Sequence, residues 1–583
     1  MKIFENYLHF RLAIMSMGSS VTNSSLKSAS LNIITQVLFR LVTFAMNAFV
    51  LRHISRDVLG LVNVRLNLLD DTIMFLSKEG FRLACLSHKG KEGWQKVINL
   101  MWLTVPVSIF WSVIFYHIWV SYLPSPSLDL LEQYKEAALI VAVSGVGQML
   151  AEPPWVAGQV LMFVRLRVVM DTVWVMTRVV VLCIAVTYMP DRVVIVWAWG
   201  HALAGLLYVL GYYLAFYIII KVNKKHQDKI ACNHFPFSSV RDLLPSYPSQ
   251  FSVNQDQWTV ATSFLGQGVM KQILTEGERY VMTIFSLLTL SEQGIFDVIS
   301  NLGSLAARFI FRPVEESAYF FFSQLWKRNV AVDLQDKENS DKVQLGLFRL
   351  LRLMLLLGLI IVLWGFSYSH LLLHLYGGYT LTDGVGPQLL RSQCLLILFL
   401  SVNGITECFA RAAMSEGEIN SYTRAMSLIS AMYLCLAFTL TKMLGPVGFV
   451  LANCCNMAIR IWFSVRVIRK IFSSLPTSPL SGLAPDNDIL FLLLSGGVTC
   501  QLSEIYIYQW SAMVHLIIGV VVGVMVVLGI VVKEDFILAF IVGKVKSLFG
   551  NQGQEESPAF EGEDSGSPSW NPKSDDLGKP KAD

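Results

Sequence analysis

Charged residues interrupt several of the long apolar runs in this sequence. A charge at the centre of a bilayer costs about 2.5–3.5 kcal/mol on insertion scales, so a charged residue in a membrane helix faces a protein interior or a wet cavity. Arginine is suited to bidentate contact with phosphate oxygens. We therefore expect a set of arginines to form an anion site: Arg40, Arg65, Arg82, Arg279, Arg308 and Arg312.

Acidic residues accompany some of these arginines. They predict ion pairs that stabilise alternative conformations of the protein. The candidate gating residues are Glu276, Glu278, Glu315 and Glu316. The last two share one helical face with Arg308 and Arg312, at spacing i, i+4, i+7 and i+8. Glu278 and Arg279 belong to a stripe of the same spacing on the preceding predicted helix, whereas Glu276 points off it. The two stripes could pair with each other, although private ion pairs or snorkelling side chains would explain any single charge.

The composition is that of a membrane protein. The chain has 583 residues, of which 54% are hydrophobic and 15% are charged, whereas an ordinary soluble domain is about one-quarter charged. Apolar runs long enough to span a bilayer, which takes about 20 residues, recur from residue 31 to residue 532. The net charge of +4 gives no indication of nucleic-acid binding. We predict an all-α, polytopic membrane protein.

About fourteen membrane helices are predicted from the length of the apolar runs, as two groups of six and a final pair. Equal groups on either side of a charged linker are typical of transporters built from two repeats. The second helix, over residues 58–77, gives the weakest signal because it is polar. The predicted segments are a cytosolic N-terminal segment (1–30), an N-lobe (31–220), a cytosolic linker (221–256), a C-lobe (257–470), two extra C-terminal helices (471–535) and a cytosolic, largely disordered tail (536–583).

Lysine and arginine concentrate in the loops that follow even-numbered predicted helices, for example at residues 89–96, 221–229 and 466–470. Cytoplasmic loops of membrane proteins carry this excess of positive charge. The even-numbered side is therefore predicted to be cytosolic, and both termini with it.

Motifs of several enzyme classes are missing from the sequence. It contains no G-x-x-x-x-G-K-[ST] phosphate-binding loop, no H-E-x-x-H zinc motif and no G-x-S-x-G nucleophile motif. The nine cysteines include no C-x-x-C pair, which leaves no indication of a zinc site or a disulfide framework. We expect a protein that is not an enzyme and that uses no metal or cofactor.

A set of motifs occurs in order along the chain: QVLFR at 36–40, NAFVLR at 47–52, LGLVNVRL at 59–66, EGFRLACL at 79–86, LTEGERYVM at 274–282, NLGSLAARFIF at 301–311 and PVEES at 313–317. Together they resemble the Rft-type oligosaccharide translocation proteins, over about residues 18–535. The resemblance implies an endoplasmic reticulum protein of N-glycosylation, with the fold of the multidrug, oligosaccharidyl-lipid and polysaccharide exporters. It implies movement of Man5GlcNAc2-diphosphodolichol from the cytosolic to the lumenal leaflet. The expected partners are this lipid-linked glycan, membrane lipids and proteins of the glycosylation pathway.

Combined with the charge pattern, the resemblance predicts alternating access. The arginines would line a cleft between the lobes and hold the lipid diphosphate, the sugar would occupy a hydrated cavity, and the dolichyl tail would stay in lipid. Rocking of the lobes would expose the cleft to each side in turn. Two alternatives stay open: an ion-coupled antiporter of the same fold, and a non-transporting chaperone or accessory protein of the pathway. A glycosyltransferase is a weaker third.

Overall fold

The computed structural model describes residues 39, 42–86, 93–226, 235–246, 255–328, 330, 334–474, 478–539 and 542. Arg40, the predicted N-terminal segment and nearly all of the predicted tail lie outside this range. The chain divides into two compact units, one that extends to Val526 and a short one that begins at Val527.

The described residues form helices joined by short connections, and none of them lies in a β-strand. The helices are α1 (residues 42–53), α2 (Arg56–Gly60, Leu61–Leu66 and Asn67–Leu86), α3 (Trp94–Trp102 and Thr104–Ser121), α4 (Leu128–Gln148, Met149–Ala151 and Glu152–Val160), α5 (Val164–Tyr188), α6 (Val193–His226), α7 (Gln255–Thr275 and Gly277–Ile284), α8 (Leu290–Ala306, Ala307–Phe311 and Arg312–Leu325), α9 (Lys337–Gly377), α10 (Gly386–Ala413), α11 (Glu416–Leu444), α12 (Pro446–Ile471), α13 (Asn487–Tyr506) and α14 (Ala512–Lys533). We call α1–α6 the N-lobe helices and α7–α12 the C-lobe helices.

Eleven of the described helices are long and apolar enough to cross a membrane. They are α3–α6 and α8–α14, and the remaining helices, α1, α2 and α7, do not meet both criteria within the described residues. The predicted all-α, polytopic class is confirmed. The count of about fourteen spans, which follows from run length alone, remains a prediction.

The helix α2 is longer than the sequence predicts. Its segments run without interruption from Arg56 to Leu86, whereas apolarity alone indicated residues 58–77. Leu61–Leu66 form a π-helical turn within it, and Ala307–Phe311 form a second one within α8. Such turns occur mostly as local insertions in α-helices and are frequent at functional sites.

The first turns of α2 and α8 cross each other, and the two turns have similar residues at corresponding positions. A side-chain hydroxyl caps each helix by accepting a hydrogen bond from a main-chain N–H group. The hydroxyl of Ser55 caps α2, and that of Thr289 caps α8. Each then carries a glycine, Gly60 and Gly294, and a Cβ atom on Gly294 would lie only 2.6 Å from the Gly60 nitrogen. Small residues let helix backbones approach this closely. The crossing therefore joins an N-lobe helix to a C-lobe helix.

One end of the helical bundle is shared by both lobes, and we call it the joined end. A single apolar core there includes Leu59 from α2, Phe296 from α8 and Phe449 from α12. Arg56 donates to the main-chain oxygen of Tyr379 at 2.7 Å, in the connection between α9 and α10, and lies 3.4 Å from Asp383. Away from this end, the N-lobe and C-lobe helices have separate apolar cores.

The helix α7 is broken into two segments, which pack against helices of different lobes. Its first segment packs along α2, where a Cβ on Gly80 would lie 3.0 Å from the Ala261 carbonyl oxygen. Its second segment packs on α11, where a Cβ on Gly277 would lie 2.7 Å from the Leu434 side chain. Glu276 lies at the break, with φ −101° and ψ 12°. The break places the polar residues that follow it between the two lobes.

Candidate functional site

Arg279 lies just after the α7 break and meets carboxylates from three helices. Its guanidinium is 2.8 Å from Asp297 of α8, 3.2 Å from Glu276 of α7 and 3.5 Å from Asp71 of α2. The nearest contact has a geometry suited to a charge-assisted hydrogen bond. Arg279 therefore ties α2, α7 and α8 together, and the carboxylates around it outnumber its single positive charge.

A row of polar side chains continues from Asp297 along one face of α8. Asn301 donates to the Asp297 carboxylate at 3.1 Å. Arg308 in turn donates to the Asn301 side-chain oxygen at 3.2 Å and to the Ser304 hydroxyl at 3.1 Å. We call Asp297, Asn301, Ser304 and Arg308 the α8 ladder. It connects the predicted ligands Arg279 and Arg308 through hydrogen bonds.

Arg308 differs from Arg279 in its charge balance. Its side chain is exposed, and its hydrogen-bond acceptors are all neutral groups of α8. Within the described part of the chain, it forms no ion pair with a carboxylate. The positive charge of Arg308 is thus available to an anion.

Arg82 lies in a closed ion-pair cluster of the N-lobe. Its guanidinium forms a bidentate pair with Glu152, at 2.5 and 2.7 Å, and Glu152 is 1% exposed. Lys78 lies 3.4 Å from the same carboxylate, and the Trp155 ring lies 3.7 Å from the Arg82 guanidinium carbon. Glu152 begins the part of α4 that follows a turn of 3-10 helix, directly before Pro153 and Pro154. This cluster binds α2 to α4.

Arg65 lies against the end of α3. It is 3% exposed, and its guanidinium donates to the main-chain oxygen of Pro124. The Trp119 indole donates to the Arg65 main-chain oxygen at 3.0 Å. These contacts hold the π turn of α2 to α3 and to the connection that follows it.

The remaining candidates of α8 have partners other than the α7 stripe in the described part of the chain. Arg312 and Glu316 pair with each other at 3.1 Å, with side chains 74% and 71% exposed. Glu315 lies against α10, because a Cβ on Gly404 would come 1.8 Å from one of its carboxylate oxygens. The π turn at Ala307–Phe311 separates these residues from the ladder, since an extra residue per turn shifts the side chains that follow.

Glu278, the second acidic residue near the α7 break, contacts the C-lobe. The Tyr433 hydroxyl of α11 donates to its Oε1 atom, and the Asn453 amide of α12 donates to the same oxygen at 3.5 Å. No cation contacts Glu278 among the described residues. The structure therefore places Glu278 in a hydrogen-bonded site and Glu276 in an ion pair.

Two features of the site are not evident from the apolar runs. Asp297 is the carboxylate nearest to Arg279. The sequence did contain a signal for it, because Asp297, Asn301, Ser304 and Arg308 have the spacing i, i+4, i+7 and i+11 of one helical face. The fully buried His201 of α6 lies 3.4 Å from Asp70 of α2. A lone histidine in an apolar run carries no spacing signal, so only packing reveals this pair. Among the described residues, no cluster of His, Cys, Asp and Glu could hold a metal ion.

The comparisons with known proteins agree on one family. The sequence model of the Rft protein family matches residues 24–544. A Mus musculus protein named Man(5)GlcNAc(2)-PP-dolichol translocation protein RFT1 is 41% identical and covers 87% of this chain and 94% of its own length. The Xenopus tropicalis protein of the same name is 40% identical and covers 84% and 90%. A structure of the lipid II flippase MurJ, in an inward closed conformation, aligns with a TM-score of 0.56 at 12% identity, over 86% of this chain and 99% of MurJ.

The protein is thus a polytopic α-helical membrane protein with the fold seen in a lipid flippase. Within this class, the chain belongs to the Rft protein family. The resemblance indicated by the ordered motifs is confirmed, and the family match covers nearly the same residues.

Proposed function

We propose that this protein moves Man5GlcNAc2-diphosphodolichol from the cytosolic to the lumenal leaflet of the endoplasmic reticulum membrane, for protein N-glycosylation. The observation that carries the proposal is the identity of 40–41% to relatives named as translocation proteins for this lipid, over most of each chain. The function is transport and involves no chemical step. The partners are the lipid-linked glycan, membrane lipids and proteins of the glycosylation pathway.

Arg308 is the first contact that we propose for the lipid diphosphate. Its charge is not neutralised by a carboxylate of the described residues, and the α8 ladder orients its guanidinium. Arg279, which is surrounded by carboxylates, would instead hold α2, α7 and α8 in register. Arg40, Arg65, Arg82 and Arg312 stay in the proposed set as groups that other states of the transport cycle could bring to the lipid.

The orientation follows from the same proposal. With both termini in the cytosol, as the loop charges predict, the joined end lies on the lumenal side. The structure would then represent the state closed to the lumen. Rocking of the lobes that separates α2 from α8 at this end would open the lumenal side and complete alternating access.

The test is reconstitution of the purified protein in liposomes that contain labelled dolichyl-diphosphate oligosaccharide. We expect faster movement of the lipid than in empty vesicles. Arg308→Gln should slow it about tenfold to a hundredfold, since a hydrogen bond to a charged group contributes about 1.5–3 kcal/mol. The matched control is Arg424→Gln, because Arg424 is also exposed and also donates to a serine on its own helix. Movement no faster than in empty vesicles would favour the accessory-protein alternative.

The antiporter alternative has one observation in its favour, the excess of carboxylates around Arg279. Carboxylates buried in a membrane protein often lie on ion pathways. An antiporter would require a proton or sodium gradient, whereas lipid movement down its own gradient would not. Lipid movement that stops when an ionophore removes the gradients would support the antiporter.

A further inference from the structure

The carboxyl groups around the α7 break outnumber the cations that contact them among the described residues. Asp71, Glu276 and Asp297 share one guanidinium, that of Arg279, and Glu278 is the next residue before it in the chain. The nearby Lys271 lies 3.3 Å from Glu79 and so has its own partner. An unpaired charge at the centre of a bilayer costs about 2.5–3.5 kcal/mol on insertion scales, so unpaired carboxylates within a membrane protein are costly. Neutralisation by protons is the way to reduce that cost without another cation.

Among these four carboxyl groups, Glu278 is the one whose charged form is stabilised least by a neighbouring cation. The other three lie within 3.5 Å of Arg279. Among the described residues, the side chain of Glu278 is hydrogen-bonded by Tyr433 and Asn453, which are uncharged groups. A carboxyl that binds a proton can still accept both of these hydrogen bonds through its carbonyl oxygen.

The hydrogen-bonded groups beside Glu278 continue through Asn453 to Asn456 on α12. Asn456 is 8% exposed and donates its amide to the Asn453 oxygen at 3.4 Å. Both asparagines are uncharged, so these described contacts on α12 bring no cation to Glu278.

We infer that Glu278, held by Tyr433 and Asn453, is a proton-binding site that controls the second segment of α7. The groups around it and its segment are Glu276 and Arg279 on α7, Asp297 on α8, Tyr433 on α11 and the uncharged Asn453 and Asn456 on α12. The π turn of α2 also packs on this segment, and its charged residue, Arg65, is bound to the Pro124 carbonyl.

The proton would couple to movement because Glu278 and Arg279 are neighbours in sequence. The neutral acid allows the close packing of Gly277 on Leu434 beside it. The ionised form would attract Arg279 away from Asp297, or would draw in water. Loss of the proton therefore favours release of the second segment of α7 from α11, and the inference holds whether or not the cargo is the proposed lipid.

The experiment uses the full chain in nanodiscs and dicyclohexylcarbodiimide, an apolar reagent that modifies protonated carboxyl groups. Peptide mass spectrometry should find the label at Glu278 severalfold above that at Asp297, which lies at the same break but is paired. The label should decrease as the pH is raised. Glu278→Gln should remove it, and Tyr433→Phe should change its pH dependence.

A second measurement does not depend on access of the reagent. Glu278→Gln cannot ionise, so its thermal unfolding temperature should match that of the native protein at low pH and exceed it increasingly as the pH rises. Glu316→Gln, an exposed control, should show no such divergence. Either the pH-dependent label or the divergence supports the proton site. An unlabelled Glu278 together with an unfolding difference that is constant with pH overturns it, and neither result depends on lipid translocation.

Discussion

Gly60 and Gly294 bring the main chains of α2 and α8 into direct contact at the joined end. A Cβ atom on Gly60 would lie 1.9 Å from the Leu290 carbonyl oxygen, and one on Gly294 would lie 3.0 Å from the Arg56 carbonyl oxygen. The neighbours are backbone atoms, which cannot rotate away as side chains can. The crossing is therefore a close main-chain contact between an N-lobe helix and a C-lobe helix.

Alanine at either glycine is expected to destabilise the protein. Overpacking of a close contact costs about 1–3 kcal/mol, which outweighs the gain of up to about 1 kcal/mol from alanine in a helix. Thermal unfolding in detergent would measure the loss for Gly60→Ala and Gly294→Ala. Gly147→Ala is the control, because a Cβ there meets no atom within 4 Å. Equal unfolding temperatures for all three variants would contradict the importance of this close contact.

The buried pair of Arg82 and Glu152 should contribute far more to stability than the exposed pair of Arg312 and Glu316. Glu152→Gln leaves Arg82 and Lys78 buried without their carboxylate, and breaking a buried pair costs about 3–5 kcal/mol. Glu316→Gln should change stability by about 1 kcal/mol or less, as exposed pairs do. The measurement is the unfolding temperature and yield of each purified variant. A Glu152→Gln protein as stable as Glu316→Gln would refute this ranking.

A cross-link at the joined end should stop transport. Arg56 and Asp383 lie 3.4 Å apart between α2 and the connection after α9. In a background without native cysteines, the pair Arg56→Cys and Asp383→Cys treated with a reducible bifunctional thiol reagent should block lipid movement in liposomes, and a reductant should restore it. Each single cysteine variant is the control. A cross-linked protein that still moves lipid at the full rate would mean that the joined end does not open.

The contact of α14 with α13 should depend on one buried histidine. His515 lies 2.8 Å from the Ser503 hydroxyl, and its ring stacks on Tyr368 at 4.1 Å. Ser503→Ala leaves this ring nitrogen without a partner, which costs about 1–3 kcal/mol. Thr499→Ala is the control, because Thr499 is exposed and bonds only its own helix. Limited proteolysis between α13 and α14 should be faster in Ser503→Ala alone.

The sequence by itself determined the membrane class, most helix positions and the family. These properties are local, because the length of an apolar run and the order of short motifs do not depend on what packs against them. The apolar run over residues 446–468 predicts a twelfth helix, and the observed α12, Pro446–Ile471, begins at the same residue. The prediction was too short for α2, because Lys78 and Arg82 interrupt apolarity although α4 supplies their partner, Glu152.

Only the tertiary structure decided which charges meet. Helical spacing predicted that Arg308, Arg312, Glu315 and Glu316 share one face. The π turn in α8 changes the helical register between Arg308 and the other three residues. The partner of Arg279 proved to be Asp297, a residue without a charged neighbour in its own apolar run. The rotation and depth of each helix depend on packing between segments far apart in sequence, and spacing within one helix cannot determine them.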